Sequence, residues 1–324
     1  MNALGGALLG RAAANIAALV GSPPAGAVAV VHSAGKAALG QAVAEALEGA
    51  GQRVDLLSPS PGASPGAGAT PGQDARGLAA RLAAGQGLVL LLEPPQAPLL
   101  FALLGRPDRA PGLPVAPPPH LFCDWLLSPE GVVRVWSVDL DEVAAFRQRL
   151  VARLAGARTL RLTTPAGTDL TLSPRGWLAW PSPVGEVFTA PVEESVAGTL
   201  VIDGVAYSGP LARPIVLSVR AGRLRGLEGL DPGDPLERLI LADLTRDGNA
   251  SRVAELGLGI NPAARPSADI MEAEQARGTC HLGLGRNIAY GGRLESATHV
   301  DYTLLRPTLH ADGALLCHDG RYHL

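Results

Sequence analysis

Glu186, Glu255, His281, His299 and Asp301 are carboxylates and imidazoles set inside four separate, otherwise apolar segments. Carboxylate oxygen and imidazole nitrogen together form the ligand set of a divalent cation, so the way strands would orient these side chains comes first. Successive side chains along a strand point to opposite faces. In His299-Val300-Asp301 the imidazole and the carboxylate share one face, about 6 to 7 Å apart along the strand, with Val300 and Tyr302 on the other. Over Thr279 to Leu284, the apolar face is Cys280, Leu282 and Leu284, and His281 points away from it between Thr279 and Gly283. Leu256, Leu258 and Ile260 define a buried face that leaves Glu255 opposite. Glu186 follows Gly185 in a strand of Val187, Phe188 and Ala190, where a buried carboxylate is costly unless it is paired or binds a metal. The competing reading is structural: ion pairs for Glu186 and Glu255, the latter with Arg252 or Arg265, and a satisfied core histidine at His281.

Four blocks carry a resemblance: GEVFTAPVEESVAGTLVIDG from Gly185, AELGLGINPAARPS from Ala254, GTCHLGLGRN from Gly278 and THVDYTLL from Thr298. In this order they resemble the thermophilic aminopeptidases of the aminopeptidase T type, over roughly residues 158 to 315. The resemblance implies a centre of two divalent cations (zinc, cobalt or manganese) held by Glu186, Glu255, His281, His299 and Asp301. That family's tyrosine ligand falls seven residues after the first histidine, where this chain has Ile288, and Tyr290 comes two positions later. The interval from His281 to His299 is also shorter than in those aminopeptidases.

With such a centre the expected activity is removal of N-terminal residues from peptides by metal-activated water. Glu255, as the bridging ligand, and Glu274, seven residues before His281 on an expected helix, are the catalytic candidates. Glu193, Glu194 and Glu272 are acidic and near the motifs, with surface charge the reading for Glu193 and Glu272. A second family similar in fold, the 2,5-dihydroxypyridine dioxygenases, holds one ferrous ion with two histidines and an aspartate, a set that His281, His299 and Asp301 match. A third reading is an inactive relative that binds rather than catalyses. Partners implied are a peptide or small-molecule substrate and a second copy of the chain.

Those residues need a scaffold, and 324 residues can bury a substantial core in two domains. A net charge of −3 and no evident basic patch give no support for a nucleic-acid partner. Three cysteines without a CxxC pair argue against a disulfide framework and fit a reducing cytoplasm. No segment reaches about 18 uninterrupted apolar residues, so no membrane span is expected. Lys36 is the only lysine, and the abundance of Ala, Gly, Pro, Leu and Arg matches GC-rich coding. His310, His318 and His323 read as solvated or subunit-contact residues.

The fold class expected is an α/β N-terminal domain, residues 1–157, followed by an α+β metal-binding domain, residues 158–324. Leu4, Leu8, Leu9, Ala12, Ile16 and Val20 recur at helical spacing, which predicts an N-terminal helix packed on the core. Strands at Ala27 to Val31, Arg53 to Leu57 and Gly87 to Leu92 alternate with helices, the pattern of a parallel sheet. A loop is expected over Ser58 to Gly72 and a helix near Ala97 to Leu104. A helix over Asp141 to Leu154 is expected to join the halves. Beyond Thr159 alternation predicts hairpins, and Asp234-Pro235 opens a helix with Asp as cap and Pro at its first position. A second helix is expected over Ala268 to Ala276. Gly283 to Asn287 is glycine-rich, but no helix with a phosphate-binding opening follows it.

Overall fold

The computed structural model describes residues 3–58, 75–93, 119–124, 127–179, 185–206 and 209–324. The chain divides into two compact units, Met1–Val138 and Asp139–Leu324. The expected loop over residues 58–72, apart from Ser58, and the helix near 97–104 lie outside the described residues.

In the first unit, strands β1 (Ala27–His32), β2 (Arg53–Leu57), β3 (Gly87–Leu91) and β4 (Leu121–Asp124) form a parallel sheet in the order β2-β1-β3-β4. Every residue of β1 and β3 is buried, which is why both read as unbroken aliphatic runs. Among the described residues the unit's helices are α1 (Ala3–Val20), α2 (Ala37–Gly49), α3 (Ala75–Ala83) and α4 (Pro129–Trp136). Ala12, Ile16 and Val20 of α1 are fully buried, as their spacing predicts. Lys36 is also buried and pairs with Asp124 at the carboxyl end of β4, 2.5 Å away. The neighbouring Gly35 N–H donates to Glu93 Oε2, so a carboxylate of the chain itself caps this turn.

Helix α5 (Leu140–Leu154) opens the second unit, capped by Asp139, which accepts from the N–H groups of Asp141 and Glu142. It buries Val143, Phe146, Leu150 and Leu154 as expected. Phe146 meets Tyr322 edge-on, Arg277 lies 4.0 Å over its ring, and Arg277 also pairs with Glu142. These contacts tie α5 to the strands that follow it, within the unit that begins at Asp139.

The remainder is dominated by antiparallel sheet. One sheet has eight strands in the order β13-β12-β9-β6-β5-β17-β18-β19. They are β5 (Leu160–Thr163), β6 (Asp169–Leu172), β9 (Ala197–Ile202), β12 (Ile215–Arg220), β13 (Arg223–Arg225), β17 (Thr308–Ala311), β18 (Ala314–His318) and β19 (Arg321–Tyr322). Its alternation is clean: Leu160, Leu162, Leu170, Leu172, Ile215, Leu217 and Val219 are buried between exposed neighbours. Hairpin β12–β13 turns at Ala221 and Gly222, both at positive φ.

The other sheet has seven strands, β11-β10-β16-β15-β14-β8-β7. They are β7 (Leu178–Ala179), β8 (Glu186–Thr189), β10 (Val205–Ala206), β11 (Gly209–Pro210), β14 (Val253–Gly259), β15 (Thr279–Gly285) and β16 (His299–Leu305). Strands β14 and β15 are buried on both faces along their whole length. Helix α6 (Pro235–Leu244) starts at Asp234 as expected, whereas α7 (Ile270–Ala273) is a single turn rather than a helix over 268–276. Among the described residues no helix is long and apolar enough to cross a membrane.

Asp234 Oδ1 accepts from Leu236 N at 2.8 Å and Glu237 N at 2.9 Å. Asp234→Ala should destabilise the protein by about 1 kcal/mol in urea titration, and an unchanged midpoint would show that the cap is dispensable.

Candidate metal centre

Strands β16, β15, β14 and β8 are consecutive neighbours in the seven-stranded sheet, and the five expected ligands all lie on one face of it. The register gives each ligand a glycine partner. Glu186 is paired with Gly259, Glu255 and Asp301 with Gly283, His281 with Gly257, and His299 with Gly285. The two Leu-Gly-Leu-Gly runs, 256–259 and 282–285, thus turn leucine to one face and clear the other. A Cβ on Gly257 would stand 2.0 Å from the His281 ring, and one on Gly283 would stand 2.8 to 2.9 Å from Glu255, Asp301 and His299. A register shift in β14 between Val253 and Glu255 precedes this arrangement.

The side chains converge in two groups that share Glu255: Glu186, Glu255 and His281, and Glu255, His299 and Asp301. His281 Nε2 is 2.8 Å from Glu186 Oε2 and 3.7 Å from Glu255 Oε1. His299 Nε2 is 3.2 Å from Glu255 Oε2 and 3.4 Å from Asp301 Oδ1. The trio His281, His299 and Asp301 does not form one group, because Glu255 stands between the histidines. Nor does Glu255 have either arginine suggested by its neighbours in sequence: Arg252 pairs with Glu194, and the Arg265 backbone N–H donates to Glu272.

The donor set fits a divalent cation. His299 Nδ1 is 2.7 Å from the Arg286 carbonyl, which can only accept, so the other nitrogen of the neutral ring turns its lone pair toward the carboxylates. Glu186 Oε2, Asp301 Oδ1 and His281 Nδ1 are buried without a hydrogen bond of acceptable geometry, despite their close neighbours. Burial opposes charge on both imidazoles, but the carboxylates outweigh it: Glu186, Glu255 and Asp301 hold His281 well above its ordinary range, and Asp301 with Glu255 does the same to His299. Burial raises Glu186 and lifts Glu274 far above the usual carboxyl range, with Asp301 and Glu186 adding to the latter. Asp301 is lowered despite burial, because His299 and His281 favour its charge. Without a cation, protons on the imidazoles balance the carboxylates.

Tyr290 is the residue that spacing misplaced. It ends a 3₁₀ turn, Ile288–Tyr290, and its hydroxyl lies 3.4 Å from His299 Nε2. Its ring meets His299 and Phe188 edge-on, with centroids 5.2 and 5.3 Å apart. Counting from His281 points to Ile288, which is exposed, because the connector after β15 turns back on itself before it reaches the site.

Glu274 is buried beside the cluster with Oε2 unbonded. Two surface expectations fail. Glu272 is fully buried, accepting from Ser267 Oγ at 2.7 Å and Arg265 N at 3.3 Å, and Glu193 is 1% exposed. Each closes a loop whose backbone donors lack other partners, a need that composition does not reveal.

A family model described as NicX, 2,5-dihydroxypyridine 5,6-dioxygenase, matches residues 141–323, more than half of the chain and the whole cluster. The chain belongs to this dioxygenase family. The NicX-family enzyme 2,5-dihydroxypyridine 5,6-dioxygenase of Pseudomonas putida KT2440 is 25% identical over 217 residues, 57% of this chain and 59% of that protein. The match therefore spans under two thirds of that relative. A solved structure of the dioxygenase from the same organism superimposes with a TM-score of 0.64 at 20% identity, covering 97% of this chain and 96% of that one. AmpT from Thermus thermophilus superimposes with a TM-score of 0.56 at 19% identity, covering 97% and 99%.

Membership in the NicX family overturns the aminopeptidase expectation, and the hydrolase and proteolysis readings go with it. The likeness to aminopeptidase T remains as one of fold. Periodicity exposes a face of metal-ligating side chains and is silent on what that face acts upon.

Gly257→Ala should abolish divalent-cation binding, read by titration with cobalt, because the added methyl occupies the place of the His281 ring; full cobalt affinity in a folded variant would refute the cleared-face account. Since both imidazoles hold protons well above the usual range, cation binding near pH 7 should release about two protons, read by calorimetry in buffers of different ionisation enthalpy. Affinity should rise with pH, and binding without proton release would show that the imidazoles are not ligands.

Proposed function

We propose that this chain is a ferrous-iron-dependent dioxygenase that opens a hydroxylated pyridine-type ring. The observation that carries the reading is the family match over residues 141–323, which spans all the cluster side chains. A ferrous ion would be held at this cluster by Glu255 with His299 and Asp301, or by Glu255 with His281 and Glu186. A bound ferrous ion would supply the one-electron chemistry that reaction of an aromatic ring with dioxygen requires.

The chain's own groups do the rest. The Arg286 carbonyl fixes the His299 ring so that Nε2 faces the carboxylates. Phe188 and Tyr290 form an aromatic wall beside that ring, suited to a planar substrate. The Tyr290 hydroxyl, next to His299 Nε2, can hold a proton for a substrate hydroxyl oxygen. Glu274, a buried carboxyl held in its protonated form, supplies a proton as ring opening proceeds. Both atoms of dioxygen enter the product and one ring bond breaks, so no external reductant is consumed.

Protein loaded with ferrous ion under nitrogen should hold one iron per chain and consume one dioxygen per 2,5-dihydroxypyridine. Labelled dioxygen should place two heavy oxygens in the ring-opened product; label arriving from water instead would overturn the reading. His299→Ala should lower kcat/KM by about a thousandfold or more while the melting profile is kept, because the lost group is a cation ligand. Undiminished iron in that variant would remove His299 from the ligand set.

A further inference from the structure

The short connector 286–298 runs from the end of β15 to the start of β16 and carries Tyr290 to the metal cluster. Within the connector, Arg286 N donates to Thr298 O, Asn287 N to Leu294 O, Tyr290 N and Gly292 N to Asn287 O, and Gly291 N to Ile288 O. Its far end is held by Asp247, which accepts from Ser296 Oγ and Ala297 N, and by Asn249, which donates to Glu295 O. The end that bears Tyr290 is held by a buried pair from different parts of the chain. Asn287 Oδ1 accepts from Leu294 N at 2.8 Å, while Nδ2 donates to Ala254 O at 3.2 Å and to Glu193 Oε1 at 3.3 Å. Glu193 Oε1 also accepts from Arg293 N at 2.7 Å, and its other oxygen pairs with Arg175. A Cβ on Gly292 would overlap the Asn287 amide at 2.1 to 2.2 Å, so the connector closes tightly around that side chain. The Glu193 backbone is itself seated against the β12–β13 turn, where its carbonyl would lie 1.9 Å from a Cβ on Gly222.

We propose that Glu193 is a positioning residue for the reaction: through Asn287 and the Arg293 backbone it fixes the 286–298 connector so that Tyr290 stands beside His299. The inference rests on the dioxygenase reading for its catalytic consequence but not for its structural content. Glu193 lies seven residues after Glu186, so the segment that supplies a metal ligand from β8 also anchors the loop that carries the tyrosine. Burial raises Glu193, but backbone N–H groups, Arg175 and Asn287 outweigh it and hold the carboxyl at about 2. The clamp therefore stays charged throughout the neutral range. The alternative is a carboxylate that stabilises the loop without influencing the tyrosine.

Protein carrying 3-fluorotyrosine at its four tyrosines allows the Tyr290 fluorine resonance to be assigned by its loss in Tyr290→Phe. In metal-free protein, Glu193→Gln and Asn287→Ala should each move that resonance toward its position in the free amino acid. Glu194→Gln should not move it, because that side chain is half exposed and meets the connector only at the exposed Arg293 guanidinium, not at the backbone that Glu193 holds. Asn287→Ala keeps the Arg175–Glu193 pair, and so it serves if Glu193→Gln fails to fold. A resonance unmoved in either folded variant overturns the proposal. No metal or turnover enters this measurement, so it stands or falls apart from the dioxygenase reading. In the iron-loaded enzyme, Glu193→Gln should lower kcat about tenfold with KM within about threefold. Glu193→Gln combined with Tyr290→Phe should be no slower than Tyr290→Phe alone, whereas additive losses would show that Glu193 does not act through the tyrosine.

Discussion

Mutual repulsion of buried carboxylates is the constraint on which the second unit depends. Glu186, Glu255, Glu274 and Asp301 lie in or beside one cluster, balanced among the described residues by His281 and His299. Unpaired charge in a buried place is costly enough that proteins neutralise it, pair it or bind a metal. Here the imidazoles are driven toward their charged forms, which is how a metal-free cluster restores balance, and a cation would take over that role by displacing the protons. An arginine ion pair does not explain the arrangement, because Arg252 pairs with Glu194 and several candidate ligand atoms remain without hydrogen bonds.

The sheet around the cluster accommodates it at a local cost. Glycine in a strand loses more backbone entropy than other residues and packs nothing, by roughly 0.5–1 kcal/mol relative to alanine. Strands β14 and β15 nevertheless carry two glycines each, all on the ligand face, while their leucines pack the other side. The leucines hold the strands in register and the missing side chains make room for the ligands. Burial along both strands then keeps Glu255 and His281 from water, in a site that lies on sheet rather than on loops. The connector bearing Tyr290 supplies the irregular part, and buried Glu193 and Asn287 tie it down.

The same scaffold is found in a pyridine-ring dioxygenase and in AmpT, at sequence identities of 20% and 19%. A shared fold does not decide between such chemistries. The match over residues 141–323 decides the family. It also accounts for the departures from the aminopeptidase pattern, since an offset tyrosine and a short interval between the histidines need not conform to peptidase spacing.

The shared face of the candidate ligands was legible in the chain: alternation around Leu256 and Leu282, and the His299-x-Asp301 pair, identified which residues share a strand face, because a period of two is a property of the backbone alone. The parallel α/β sheet of the first unit and the cap at Asp234 follow from equally local rules, aliphatic runs between helices and an acidic residue ahead of a proline-led helix. Other features required tertiary structure. The pairing of each ligand with a glycine depends on register between strands remote in sequence, and so does the position of Glu255 between the two histidines. The burial of Glu193 and Glu272 depends on backbone donors brought from elsewhere, and the approach of Tyr290 depends on the path of a connector. Periodicity determines which way a side chain points; what it meets there is decided only when distant segments pack.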